Sequence, residues 1–303
     1  MADLPINQNN KEFQTLYKQK LLETFKYLIH FLESNNLNWW TAYGTCLGAI
    51  RHKGLIPWDD DIDIYLPRKD FNHLIELEHK LDESTYGFLS LKNANTYTTI
   101  GKLFNKKTTY WNGRKTKDIM GVWIDIFPLD QTKMTPDTYQ ERYSVFAKYQ
   151  HRYRLSSIHY SISDFINDIK GCHPHSLIDG IKSKFFYSRE RVKSRIHQEM
   201  IEVAEIFNDG EGNYLFSPCA HEGIKELYLK EWFEGYQTVP FENFTVRVPK
   251  MYDEYLTHYF GDYMTPTPIE KRIRHEVVYC NLRERVSLQE VKKKVKAGIH
   301  IEM

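Results

Sequence analysis

The sequence predicts an α+β fold: a mixed sheet flanked by helices, joined to a largely helical additional region. Three observations lead there. DIDIYL (61–66) and GVWIDIF (121–127) alternate apolar and other residues with a period of two, as strands do. Residues 11–34, 136–154 and 176–207 instead carry helical signals. The strand-like segments also crowd into the first 130 residues, so the boundaries fall at 1–130, 131–230 and 231–303.

In chain order, Phe13, Leu16, Tyr17, Leu21, Phe25, Leu28 and Leu32 share one helical face, and Asn35-Asn36 stop that helix. NWWTAY reads as a short strand running into a Gly44-Thr45 turn. Residues 45–53 form a short helix, and KGLIPWD is a loop. The DIDIYL strand puts Ile62 and Ile64 on one face and Asp61 and Asp63 on the other. A helix over 68–82 follows, then strands near 86–91, 97–104 and 121–127. Thr135-Pro136-Asp137 starts the helical region with a Thr cap and Pro at the first position. The segment containing GCHPH (171–175) is poorly periodic and reads as a loop: Cys172, His173 and His175 are too tightly packed for zinc without a fourth ligand. DGEGN (209–213) is a turn, GYQTVPFENFTVRVPK a hairpin, and KMYDEYLTHYFG a helix closed by Gly261. The tail, 284–300, reads as a basic amphipathic helix.

Composition narrows the class. The chain has 303 residues, a formal charge of +1 and 15% aromatic residues, which argues against both a dedicated nucleic-acid binder and a disordered chain. Its four cysteines (Cys46, Cys172, Cys219, Cys280) lie far apart without a CxxC pair, the pattern of reduced thiols. The polar start lacks the apolar core of a signal peptide and no long apolar run is present, so the expectation is a cytoplasmic protein.

The chemistry gathers in YGTCLGAIRHKGLIPWDDDIDIYLPRKD (43–70). Two carboxylates side by side on a strand disfavour each other's ionisation unless a cation intervenes. Oxygen-only ligands suit Mg²⁺ or Mn²⁺, which bind through a few carboxylates and substrate phosphates. Asp125 is the natural third ligand beside Asp61 and Asp63 if its strand is a neighbour. Asp60 is expected in structural hydrogen bonding and Asp59 in a supporting place. Gly44 and Thr45, between strand and helix, offer backbone N–H groups to a phosphate. Arg51, His52 and Lys53 form a cationic knot fit to clamp phosphate. Neither a dinucleotide-binding nor a P-loop glycine pattern is present.

On these residues the sequence resembles the LicD family, which includes the fukutin-related proteins. The resemblance extends to VWIDIFPLD (122–130) and VPKMYDEYLTHYFGDYMTPTPIEKRIRH (248–275), with only a loose match over 131–230. That family is similar to the polymerase-β-like nucleotidyltransferases, whose Gly-Ser/Thr turn and Asp-x-Asp strand correspond to Gly44-Thr45 and Asp61-Ile62-Asp63. The resemblance implies that residues 1–130 are a nucleotidyltransferase-like catalytic core. It makes 131–230 an acceptor-binding region and 231–303 a segment packing back on the core. Asp61, Asp63 and Asp125 would hold the metal. Gly44, Thr45, Arg51 and Lys53 would handle the donor's phosphates, with Lys102, Lys271, Arg272 and His275 as further phosphate or acceptor contacts.

The implied reaction is transfer of phosphocholine from CDP-choline, releasing CMP, to a cell-surface glycan or teichoic-acid precursor. Transfer of ribitol phosphate or glycerol phosphate from the corresponding CDP-polyol is the near alternative. A nucleotidyltransferase acting on nucleic acid and a non-catalytic nucleotide-binding protein stand further off, and no nucleic-acid partner is expected. A choline head group would call for an aromatic box. Trp39, Trp40, Tyr43, Trp58, Trp111 and Trp123 are on offer, although tryptophans flanking strands are more often core. The acceptor is a saccharide or lipid-linked glycan. The basic tail (Lys292, Lys293, Lys294, Lys296) and RERVKSR (189–195) suit an anionic membrane face, but two solvated helices account for them more simply.

Overall fold

A computed structural model describes residues 10–92, 98–111, 119–158, 160–218, 223–272 and 277–303. The first helix, α1 (Lys11–Ser34), is capped by the Asn10 side chain, which accepts from the amides of Glu12 and Phe13, and buries the apolar face read from its spacing. The strand expected at NWWTAY shrinks to β1 (Trp40–Thr41), and α2 (Tyr43–His52) starts at once, so Gly44 and Thr45 lie in its first turn rather than before it. Then come β2 (Asp63–Pro67), α3 (Arg68–Glu76) with a short 3₁₀ turn over Leu77–Lys80, β3 (Tyr86–Leu89) and β4 (Gly101–Asn105). The alternation does not mark β5 (Thr109–Trp111), and β6 (Trp123–Thr132) runs five residues beyond its predicted end, through Pro128. Proline fits there because β6 last pairs with β4 at Ile126 and first pairs with its next partner at Asp130, so no ladder bond is lost.

The helical region comprises α4 (Tyr139–Ser157), α5 (Ile162–Lys170), α6 (Pro174–Lys182) and α7 (Glu190–Val203). The single helix expected over 176–207 is broken. A π turn over Ser183–Tyr187 ends the first part, and Arg189 takes an extended conformation before α7. Tertiary packing overrides the periodicity: α6 packs on α5, whereas α7 lies along α4. GCHPH is a connection, with Cys172 in the left-handed region and Pro174 opening α6. Two strands that the periodicity does not show, β7 (Tyr214–Phe216) and β8 (Leu227–Leu229), extend the sheet.

The hairpin β9 (Tyr236–Phe241) and β10 (Phe244–Pro249) and the helix α8 (Tyr252–Phe260), closed by Gly261 at positive φ, follow the sequence reading. Of the tail read as a helix over 284–300, only residues 288–296 are helical. β11 (Tyr279–Asn281) precedes α9 (Leu288–Lys296), Gly298 turns the chain at φ 81°, and β12 (Ile301–Glu302) pairs parallel with β11. Cys46, Cys172 and Cys280 are free thiols, and Cys219 lies outside the described residues.

The main sheet has the order β1-β2-β6-β4-β3, with β7 continuing along the far end of β6 and β8 beside it. The pair β2–β6 is parallel and the other pairs are antiparallel. α1 and α3 pack against its central strands, and Phe71 of α3 reaches the Ile126 face at Gly101. The other face carries Tyr65 and Phe127 against Tyr43 of α2. A separate apolar cluster, including Phe146, Ile196, Met200, Phe207, Phe216 and Leu227, fills the helical region.

One buried ion pair joins these parts. Arg68, first residue of α3, gives Asp130 of β6 two hydrogen bonds (2.5 and 3.0 Å) and donates to the Ala204 carbonyl after α7 (3.1 Å). Burial pushes the Asp130 carboxyl up, and Arg68 pulls it the other way. Arg68→Met strands this carboxylate and should cost about 3–5 kcal/mol in urea unfolding. The Arg68→Met/Asp130→Leu double variant should recover most of the loss, whereas a single-variant loss near zero would contradict the role.

Candidate active site

The site forms where β2 and β6 begin. Their parallel register sets Asp63 opposite Asp125, and the Asp125 amide donates to the Ile62 carbonyl at 2.9 Å. The two strands are therefore neighbours, as the third-ligand reading required. Asp61 does not share the strand with Asp63. The strand starts at Asp63, not at Asp61, so Asp61 lies in the preceding loop, where one oxygen from each of Asp59, Asp60 and Asp61 lies within 4.8 Å of the others. Crowding is felt at Asp63, whose carboxyl is raised well above the usual carboxylate range by burial first, then by Asp61, Asp125 and Asp59.

The start of α2 is fastened to the start of β2. The Asp63 amide donates to Thr45 Oγ1 (2.9 Å), and the Ala42 amide donates to the Asp63 carbonyl (2.9 Å). Tyr43 opens the helix at φ 41°, and its amide donates to the Tyr255 hydroxyl (2.8 Å). Among the described residues no side chain caps this helix, which leaves the Gly44 and Thr45 amides able to meet an anion. Gly44 has a steric reason as well: a Cβ there would come within 2.6 Å of Asp59 Oδ2. Behind Tyr43 lies a buried hydroxyl chain. The Tyr43 and Tyr228 hydroxyls donate to Glu226 Oε2 (2.8 and 2.7 Å), and Tyr65 meets Tyr228 at 2.9 Å. Burial raises the pKa of all these tyrosines, so they remain protonated donors.

Lys102 is opposite Asp125 in the β4–β6 register and ion-pairs with it, with Trp123 Nε1 donating to the second oxygen at 3.0 Å. The predicted phosphate contact thus rests on a carboxylate of the site. Arg51 donates through Nη1 to the Tyr263 carbonyl (2.6 Å), while its buried Nη2 has no partner among the described residues. Arg272 stacks its guanidinium on Trp58 at 3.6 Å, next in sequence to Asp59. Arg51 and Arg272 are electrostatic neighbours: burial first, then Arg272, lowers the Arg51 pKa. Lys53 is exposed in the left-handed residue that ends α2, away from Gly44. Lys271 lies in the Ile269–Lys271 turn, and His275 lies outside the described residues.

Asp60 serves structure through its carbonyl, which accepts from the Tyr17 hydroxyl at 3.1 Å. Of the aromatic candidates, Trp39, Trp40, Trp111 and Trp123 are core. Beside the aspartates lies a cavity of about 220 Å³ between α1 and the loop at 55–60, lined by Phe13, Tyr17, Leu21, Ile56, Asp59 and Asp60 among others. The sequence offers Trp123 and Tyr43 only as aromatic-box candidates, whereas in the structure both make polar contacts: Trp123 Nε1 donates to Asp125 and the Tyr43 hydroxyl to Glu226. Trp123 shares the face of Asp125 two residues on, and Tyr43 precedes Gly44, so both signals were present in the pattern.

This donor set fits a hard divalent cation: several carboxylates converge, with Lys102 facing them. We expect Mg²⁺ to raise the thermal midpoint of the wild-type chain, by the equivalent of about 2.7 kcal/mol at a hundred times its Kd. Asp63→Asn should abolish that shift while leaving the cation-free protein at least as stable. An equal Mg²⁺ shift in the variant would contradict a site at Asp63.

The profile of the LicD/FKTN/FKRP nucleotidyltransferase domain matches residues 36–163. The chain is 26% identical over 269 residues to the lipopolysaccharide cholinephosphotransferase LicD of Haemophilus influenzae, covering 87% of this chain and 96% of that protein. It is 37% identical over 57 residues to human ribitol 5-phosphate transferase FKRP, 19% of this chain and 12% of that protein. An uncharacterised protein of Rickettsia prowazekii is 38% identical over 66 residues, 22% of this chain and 25% of that one.

Proposed function

From a chain that belongs to the LicD family through its nucleotidyltransferase domain, we propose an enzyme that transfers phosphocholine from CDP-choline to a glycan hydroxyl, releasing CMP. The observation that carries this reading is the register of Asp63 opposite Asp125, with Asp61 beside them and the open start of α2 fastened to the same strand. The similarity to a cholinephosphotransferase along 87% of the chain favours the choline donor. The higher local identity to a ribitol 5-phosphate transferase keeps CDP-ribitol as the second reading. A formal charge of +1 speaks against a nucleic-acid substrate.

In this reading the acceptor hydroxyl attacks the phosphorus that carries the alcohol. A new O–P bond forms, the bond from that phosphorus to the bridging oxygen breaks, and CMP leaves with the electron pair. A carboxylate of the cluster accepts the hydroxyl's proton. Mg²⁺ or Mn²⁺ held by Asp61, Asp63 and Asp125 would supply charge neutralisation at the phosphates. The Gly44 and Thr45 amides orient the diphosphate, and Arg51 with Arg272 clamps its outer oxygens. Lys102 holds Asp125 in place until the donor arrives. The acceptor in this reading is a glycan, lipid-linked or free.

The test is a donor screen. Purified protein with Mg²⁺ and a glycan panel should release CMP from CDP-choline in preference to CDP-ribitol and CDP-glycerol. Asp61→Asn/Asp63→Asn should lower the rate by at least on the order of 10²–10³-fold. Full activity in that double variant would overturn the reading, and preference for CDP-ribitol would install the second one.

A further inference from the structure

α5 is turned inside out. Its apolar residues Ile162, Phe165, Ile166 and Ile169 follow the i, i+3, i+4, i+7 spacing of one helical stripe, yet all four are exposed, Ile162 at 72%. Its acids are the residues facing inward, with Asp164 and Asp168 each only 6% exposed. Asp164 accepts from the Ser161 amide at 2.8 Å and closes a capping box, while Asp168 accepts from the Tyr160 hydroxyl at 2.8 Å. A helix on the surface of a water-soluble domain normally has the reverse arrangement.

α6 and the π turn continue the same face. Gly180 of α6 is buried against the Tyr160 ring, so α5 and α6 both turn their inner sides to Tyr160. Asp179 is drawn away to Arg154 of α4 at 2.5 Å. Ile178 and Ile181 are left exposed, and Phe185 and Phe186 of the π turn protrude at 71% and 68%. Lys170, Lys182 and Lys184 end α5, end α6 and enter the turn. All three are exposed and have no ion-pair partner among the described residues.

We propose that α5, α6 and the π turn form a docking surface for an anionic lipid bilayer. The exposed isoleucines and phenylalanines enter the interfacial layer, and Lys170, Lys182 and Lys184 reach the phosphate head groups. Charge complementarity selects this occupant. A second copy docked by a two-fold axis would set these lysines against one another, with no outward acid on α5 or α6 to pair them. A negatively charged surface over an apolar phase satisfies both components. The contact is peripheral: among the described residues no helix is long and apolar enough to cross a membrane. This goes beyond the proposed reaction and is read without donor or metal.

The full chain should co-float with phosphatidylcholine vesicles containing phosphatidylglycerol and bind pure phosphatidylcholine vesicles far more weakly. Phe185→Ser/Phe186→Ser should reduce the bound fraction at least about tenfold. Lys170→Gln/Lys182→Gln/Lys184→Gln should weaken binding to the mixed vesicles on the order of a hundredfold. Circular dichroism should be unchanged in both, because the substituted side chains are exposed. Absence of vesicle binding, equal binding by the phenylalanine variant, or equal binding to neutral and anionic vesicles would each overturn the proposal. So would a concentration-dependent dimer in sedimentation velocity that the phenylalanine variant abolishes, which would make a second copy the occupant.

Discussion

The parallel register of β2 with β6 is the constraint on which the rest of the molecule depends. A slip of one residue would turn Asp63 or Asp125 to the face now held by Ile64 and Ile126, and the carboxylate pair would vanish. The antiparallel register of β4 with β6 places Lys102 against Asp125 from the other edge of β6, and the backbone of Asp63 fixes the opening of α2. The start of these two strands is thus where charge, helix end and basic side chains meet. Their far ends carry a different device, the buried Arg68–Asp130 pair that ties the sheet to the helical region.

Holding carboxylates this close is unfavourable, and the surrounding structure is arranged to tolerate it. Lys102 and Trp123 satisfy the two oxygens of Asp125. The tyrosine chain ending on Glu226 anchors Tyr43, so the strained opening of α2 is held by β8 and α8 rather than by its own cap. A site that is costly to the free protein is one that a cation and a diphosphate can stabilise on binding.

The parts legible in the sequence were those whose signal is local. Alternation around Asp63 and Asp125 located both strands and their polar faces, and asparagine and glycine marked the ends of α1 and α8. Strand phase does not say where pairing starts: it puts Asp61 on β2, whereas Asp61 belongs to the loop with Asp59 and Asp60. β7 and β8 are three-residue strands, too short to show a period, and gain their place only by pairing with β6 and each other. The meeting of Arg51 with Arg272 and the hold of Lys102 on Asp125 are long-range facts that no window of sequence contains. α5 shows a further limit: it lies in the segment before GCHPH that reads as poorly periodic, and only packing reveals a helix there with its apolar face turned outward.

The most direct measurement of the central claim is phosphorus-31 relaxation of CDP-choline in the presence of protein-bound Mn²⁺. The account predicts strong paramagnetic broadening of both diphosphate resonances with the wild-type chain, beyond that of free Mn²⁺, and its loss in an Asp63→Asn/Asp125→Asn variant. Broadening that persists unchanged in that variant, or none with the wild type, would contradict a cation and diphosphate site between β2 and β6.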